Sequence, residues 1–190
     1  KTAYEIYQCD WSSDVCSSDL ELAGLVSGTR PISAITLDAF DALLVAGGQA
    51  PMFGFESRAA LQQLFVRFFE AGRVSAALCH GTALLAGARL SSGELLVKGR
   101  TVTGFANVEE DFADEAVWGM GALPRGTHLM PWRIEERLRG LGANYVQAGR
   151  FRSFAVRDGN LVTGQQNFSD RKSTRLNSSH TDISRMPSSA

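Results

Sequence analysis

The stretch at residues 73–85, RVSAALCHGTALL, constrains this chain more than any other, because it sets a cysteine between an apolar strand and a helix. Val74, Ala76, Ala77 and Leu78 suit a strand buried on both faces, while His80, Gly81, Thr82 and the Ala/Leu run after them suit the first turns of a helix. Cys79 then falls in the sharp turn between them. Helix N-terminal amides favour thiolate over thiol at such a turn, and the thiolate is the nucleophile. Gly81 lets the turn close without a Cβ clash. Strand, nucleophile and helix in this order form the cysteine counterpart of the nucleophile elbow. A buried structural cysteine fits the same stretch, so both readings stand at this point.

The 190 residues are 44% hydrophobic with a formal net charge of -1, the profile of one globular domain, and nothing in that balance asks for a nucleic acid. No apolar run approaches the roughly 20 residues of a membrane span, and no basic-then-apolar leader opens the sequence. A cytoplasmic protein without a membrane partner is the default expectation. Cys9, Cys16 and Cys79 have neither the number nor the spacing of a disulfide framework or metal site. With only His80, His128 and His180 beside them, no metal and no cofactor is expected.

Residues 1–20 and 170–190 differ abruptly in composition from what lies between. The run DWSSDVCSSDL at 10–20 resembles a translated sequencing adapter, and the serine-rich stretch 170–190 resembles a second one. Both are expected to be non-native, which leaves 21–169 as the authentic, partial domain.

Inside those limits strands and helices alternate, the pattern of a layered α/β fold with a largely parallel sheet. A strand is predicted over 42–46, running into Gly47-Gly48, where positive φ and close backbone approach are permitted. Leu61, Leu64, Phe65, Phe68 and Phe69 recur at helical spacing as a core face, and Gly72 stands where a C-terminal cap belongs. After the Cys79 turn and a Ser91-Ser92-Gly93 turn, 101–105 reads as a strand, and Asn107 is placed to cap the next helix. Glu109, Glu110 and Asp111 fall in that helix's first turn, where carboxylates gain from the dipole and are also free to take a catalytic role. Pro131 opens a short helix ending near Gly140, 144–148 reads as a strand, and Arg157-Asp158-Gly159-Asn160 as the turn of an antiparallel edge hairpin. Arg133, Arg137 and Arg139 read as a solvated helix face, and His128 as structural.

Taken together, LLVAGGQAPMFGF, AALCHGTALL, LVKGRTVTGFANVEE, LGANY and VRDGNLVTGQQNFS resemble the DJ-1/PfpI superfamily, in order and in spacing. The resemblance implies a flavodoxin-like α/β three-layer sandwich of the class I glutamine amidotransferase type. Cys79 followed directly by His80 looks most like the glyoxalase III and stress-chaperone branch. In that case Cys79 is the nucleophile, His80 its acid/base partner, and Glu109 or Glu110 the carboxylate that orients the imidazole. Backbone N–H groups at Gly48 and His80 then form the oxyanion hole. Gln49-Ala50 departs from the His-Gly often found after the Gly-Gly pair. The family's first strand, first helix and second strand, with a further acidic residue, are expected before residue 21, so the natural parent is expected to be longer and this chain to be poorly stable.

The leading functional expectation is a thiol-dependent enzyme acting on a small carbonyl substrate, turning methylglyoxal into lactate without glutathione. A cysteine amidase or peptidase of the PfpI type is the second, and a redox-sensing chaperone the third. Glutamine amidotransfer is disfavoured because its later His-x-Glu is missing. A homodimer is what relatives imply.

Overall fold

The computed structural model describes residues 27–166; the expectations for 1–20 and 170–190, with Cys9, Cys16 and His180, lie outside them. The chain divides into two compact units, 1–36 and 37–190. The described part of the first holds a 3-10 turn, Ile32–Ala34, with Arg30 donating to the Ala34 carbonyl at 2.8 Å.

The second unit is built on a four-stranded sheet in the order β1 (Ala42–Val45), β2 (Val74–Leu78), β6 (Leu161–Gly164), β5 (Ala155–Asp158). Strands β1, β2 and β6 run parallel, with Ala42 opposite Val74 and Leu78 opposite Gly164, and β5 returns antiparallel to β6. Helices accompany this mostly parallel sheet in the flavodoxin-like α/β manner. Central position explains the composition of β2: Ser75 through Leu78 are all buried, so small and apolar side chains replace the alternation of a half-exposed strand. Among the described residues no strand covers the outer edge of β1, where Leu44 is 40% exposed.

Helix α1 (Ala59–Glu70) lays the predicted face inward, with Leu61, Leu64, Phe65 and Phe68 buried and Phe69 partly so. Each such side chain contributes about 1.5–3 kcal/mol on burial. Gly72 follows at φ +73°, the left-handed conformation that ends a helix most readily without a Cβ. The β5–β6 hairpin turns at Gly159 (φ +62°), and Asn160 Nδ2 docks it by donating to the Phe69 and Arg73 carbonyls at 2.8 and 2.7 Å.

Four boundaries differ from the sequence reading. The strand predicted over 101–105 is only β3 (Thr101–Val102), paired in parallel with β4 (Asn144–Tyr145), which replaces the strand predicted over 144–148. Chain direction changes after β3 because Gly104 is pressed against Thr82 and Ile134, a fit that no Cβ would allow. Helix α2 spans Asn107–Gly119 with Ala106 as its N-cap, so Asn107 is the first helical residue and not the cap. Helix α3 (Ile134–Gly140) starts after Pro131, since Arg133 is extended (φ -111°, ψ 128°).

Candidate active site

Everything about Cys79 follows from the end of β2. The chain leaves that strand into a 3-10 segment, Cys79–Ala86, rather than the α-helix expected there. Thr82 Oγ1 donates to the Cys79 carbonyl at 2.7 Å and so competes for the acceptor that the first α-helical amide would use. Cys79 itself stands at φ +56°, a left-handed conformation that costs a non-glycine residue of order 1–3 kcal/mol and is kept where the surroundings over-determine it. Two glycines supply those surroundings. A Cβ on Gly47 would lie 2.6 Å from the Cys79 Cβ, and one on Gly81 would lie 2.5 Å from the Ala46 carbonyl oxygen. Gly48 turns the chain at φ +95° beyond β1.

His80 completes the arrangement. Its Nδ1 lies 3.5 Å from Cys79 Sγ, its Nε2 donates to Glu110 Oε1 at 3.0 Å, and its ring stacks on Phe105 with centroids 4.1 Å apart. Because an ionised carboxylate only accepts, Glu110 fixes the proton on Nε2 and turns Nδ1 toward the thiol. The side chains of His80 and Glu110 are 7% and 3% exposed. Burial pulls the imidazole pKa down, but hydrogen bonds and charge at Cys79 and Glu110 outweigh it and push it up to about 9. Thiol, imidazole and carboxylate thus form one buried relay able to take a proton from sulfur and hold the resulting charge.

Of the two glutamates left open by the sequence, Glu110 therefore meets His80. Glu109, also buried, is engaged by Ala106 N, Phe151 N and Gln165 Nε2. Phe105, Phe151 and Gln165 were not singled out in the sequence; the only hint is the Gln165-Gln166 pair closing an apolar strand.

His128 lies in a separate cluster. Its Nδ1 donates to Asp114 Oδ2 at 2.7 Å, and Arg133 bridges Asp111 and Asp114 at 2.7 and 2.9 Å. With its side chain 14% exposed, Arg133 is a paired, largely buried cation, which corrects its reading as part of a solvated face. An open groove of about 580 Å³ beside this cluster is lined by Met130, Trp132, Arg137 and Leu141 and includes none of Cys79, His80 and Glu110. Among the described residues no three His, Cys, Asp or Glu side chains are arranged to hold a metal ion, and no helix is long and apolar enough to cross a membrane.

Comparison with known proteins places the chain as a whole. A probable glutathione-independent glyoxalase of Schizosaccharomyces pombe is 33% identical over 144 residues, 74% of this chain and 52% of that protein. The crystal structure of glyoxalase III from Candida albicans superposes with a TM-score of 0.68 at 25% identity, covering 82% of this chain and 63% of that one. The Rapid Encystment Protein of Francisella tularensis has the same fold, with a TM-score of 0.74 at 23% identity over 91% of this chain and 72% of that one. The chain spans about half to three-fifths of the length of the curated relatives it matches. The DJ-1/PfpI family model matches residues 16–170, a span that contains the elbow, its histidine and its carboxylate, and the chain belongs to that family.

Proposed function

We propose that this chain carries the reactive centre of a glutathione-independent glyoxalase that converts small 2-oxoaldehydes, methylglyoxal in the first instance, to 2-hydroxy acids. The observation that carries the reading is the buried Cys79–His80–Glu110 relay, with Nδ1 facing sulfur and Nε2 held by a carboxylate. The names of the relatives from Schizosaccharomyces pombe and Candida albicans support the same chemistry.

The steps balance without an external oxidant. The Cys79 thiol gives its proton to His80 and sulfur adds to the aldehyde carbon; the backbone N–H groups of Gly48 and His80 receive the oxyanion, which takes that proton back as the hydroxyl of a hemithioacetal. His80, neutral again, then removes the proton from that carbon and returns it to the neighbouring carbonyl carbon, while the hemithioacetal hydroxyl proton passes to the oxygen on that neighbour. The first carbon is oxidised to a thioester as the second is reduced to an alcohol. Water cleaves the thioester, releasing the 2-hydroxy acid and the thiol. In this reading the work is done by a homodimer, as the family resemblance implies, in the cytoplasm, the default address for such a sequence.

The deciding experiment is methylglyoxal turnover without glutathione, with lactate measured as product. Conversion by the parent that falls below detection in Cys79→Ser is the expected result, and unchanged turnover in that variant would overturn the proposal. An amidase of the glutamine-amidotransferase kind is not favoured, because His128, the one later histidine among the described residues, belongs to the separate Asp114–Arg133 cluster and lines a groove that does not include Cys79.

A further inference from the structure

Glu109 adjoins Glu110 in sequence and is fully buried, yet it hydrogen-bonds Ala106, Phe151 and Gln165 rather than His80. Oε2 accepts from Ala106 N at 3.1 Å, and Oε1 accepts from both Phe151 N and Gln165 Nε2 at 3.1 Å. All three partners are donors, so the site suits an ionised carboxylate acting only as an acceptor. Burial pushes its pKa up, and the three hydrogen bonds with the charge of His80 oppose that shift. His80 and Tyr145 are the titratable groups that feel this carboxylate, and the Glu135 carboxylate stands nearby on α3, accepting from Asn107 N at 3.0 Å.

Two features identify what so costly a group holds in place. Ala106 is the N-cap of α2, so a side chain bonded back to its amide fixes where the helix begins and how its first turn is rotated. Glu110 is the next residue on that turn, about 100° further round the helix. The second feature is the loop at 148–151. Phe151 stands at φ +57° with its amide turned onto Glu109, and Gln165 ties the same loop by accepting from Ala148 N at 2.8 Å. Such a conformation persists only where neighbours impose it.

We propose that Glu109 is a positioning residue that clamps the first turn of α2 to the 148–151 loop and to Gln165, and so fixes the rotation that brings Glu110 onto His80. The inference rests on reading Cys79, His80 and Glu110 as the reactive centre. It acts through Glu110 and requires no contact between Glu109 and substrate.

The test is the pH midpoint of Cys79 alkylation by iodoacetamide, followed on the Cys79 peptide by mass spectrometry in the parent, Glu109→Gln, Glu110→Gln and the double variant. Alkylation needs no carbonyl turnover, so a shift in a protein that ignores methylglyoxal refutes the proposed substrate and leaves this inference standing. The expected result is a midpoint raised by about one pH unit in Glu109→Gln, with no further rise when that change is added to Glu110→Gln. A merely structural role would lower the melting temperature and leave the midpoint of the folded protein where it was. Should Glu109→Gln not fold, Gln165→Met removes one of the three donors, and a smaller rise in the same direction is expected. An unmoved midpoint, or a shift that adds in full to that of Glu110→Gln, overturns the inference.

Discussion

Two histidine–carboxylate pairs in this molecule have similar lengths and opposite characters. His80 donates to Glu110 at 3.0 Å and His128 to Asp114 at 2.7 Å. The second is shorter, yet the first is the functional candidate, and the reason lies in what surrounds each. The His80 side chain is 7% exposed and its free nitrogen faces sulfur, whereas that of His128 is 59% exposed and its carboxylate is shared with Arg133 and the Leu129 amide. A carboxylate divided among three donors works as a structural knot. One aimed at a single buried imidazole, whose other nitrogen meets a nucleophile, supplies a charge switch. Hydrogen-bond length does not separate the two pairs; burial and the identity of the third group do.

Breaking the buried pair should have the larger effect. Glu110→Gln is expected to lower methylglyoxal turnover by about 10²-fold, because the amide no longer holds the imidazolium that forms when sulfur loses its proton. The same variant should change the pH dependence of stability. The folded-state pKa of His80 is raised from 6.5 to about 9, so its contribution is fully present below about pH 6.5 and is lost as pH rises through about 9. Denaturant titrations between pH 6 and 10 should therefore show the parent losing stability over that window and Glu110→Gln losing less, the remainder being the part that Cys79 contributes to the raised pKa. Parallel curves for the two proteins would remove the charge switch from the comparison.

How much of this was legible depends on which physical constraint each feature obeys. The α1 face, the Gly72 terminus and the β5–β6 hairpin are local matters of periodicity and turn chemistry, legible in Leu61, Phe65, Gly72 and Gly159; the place of the Cys79 turn is legible in Gly81, but not the 3-10 segment that follows it. The choice between Glu109 and Glu110 was not local. Reading Asn107 as the cap displaces the helix start by one residue, which rotates the first turn by about 100° and changes which glutamate faces His80. That start is settled by the packing of Ala106, fully buried, together with the bond from its amide to the Glu109 side chain. The shortened β3 has a similar cause, since the pressure of Thr82 and Ile134 on Gly104 comes from residues far away in sequence. The burial of Arg133 is not legible locally either, because its partners Asp111 and Asp114 lie on another helix.

The exposed pair should show the reverse pattern, with a stability effect from its carboxylate and almost none from its imidazole. Asp114 is nearly buried, and although burial raises its pKa, the Leu129 amide, His128 and Arg133 together lower it. Its contribution is thus present above the ordinary value of 3.8 and is lost as pH falls through the lower folded-state value. Asp114→Asn should cost about 2 kcal/mol at neutral pH in denaturant unfolding, since it leaves Arg133 with one of its two carboxylates, while turnover per folded molecule stays within twofold. His128→Gln is the smallest step. An exposed imidazole paired to a carboxylate that keeps two other donors contributes little, and a change within about 0.5 kcal/mol is expected, with turnover unchanged. A loss of turnover in His128→Gln matching that of Glu110→Gln would make the two pairs equivalent in function, and burial would then no longer be what distinguishes them.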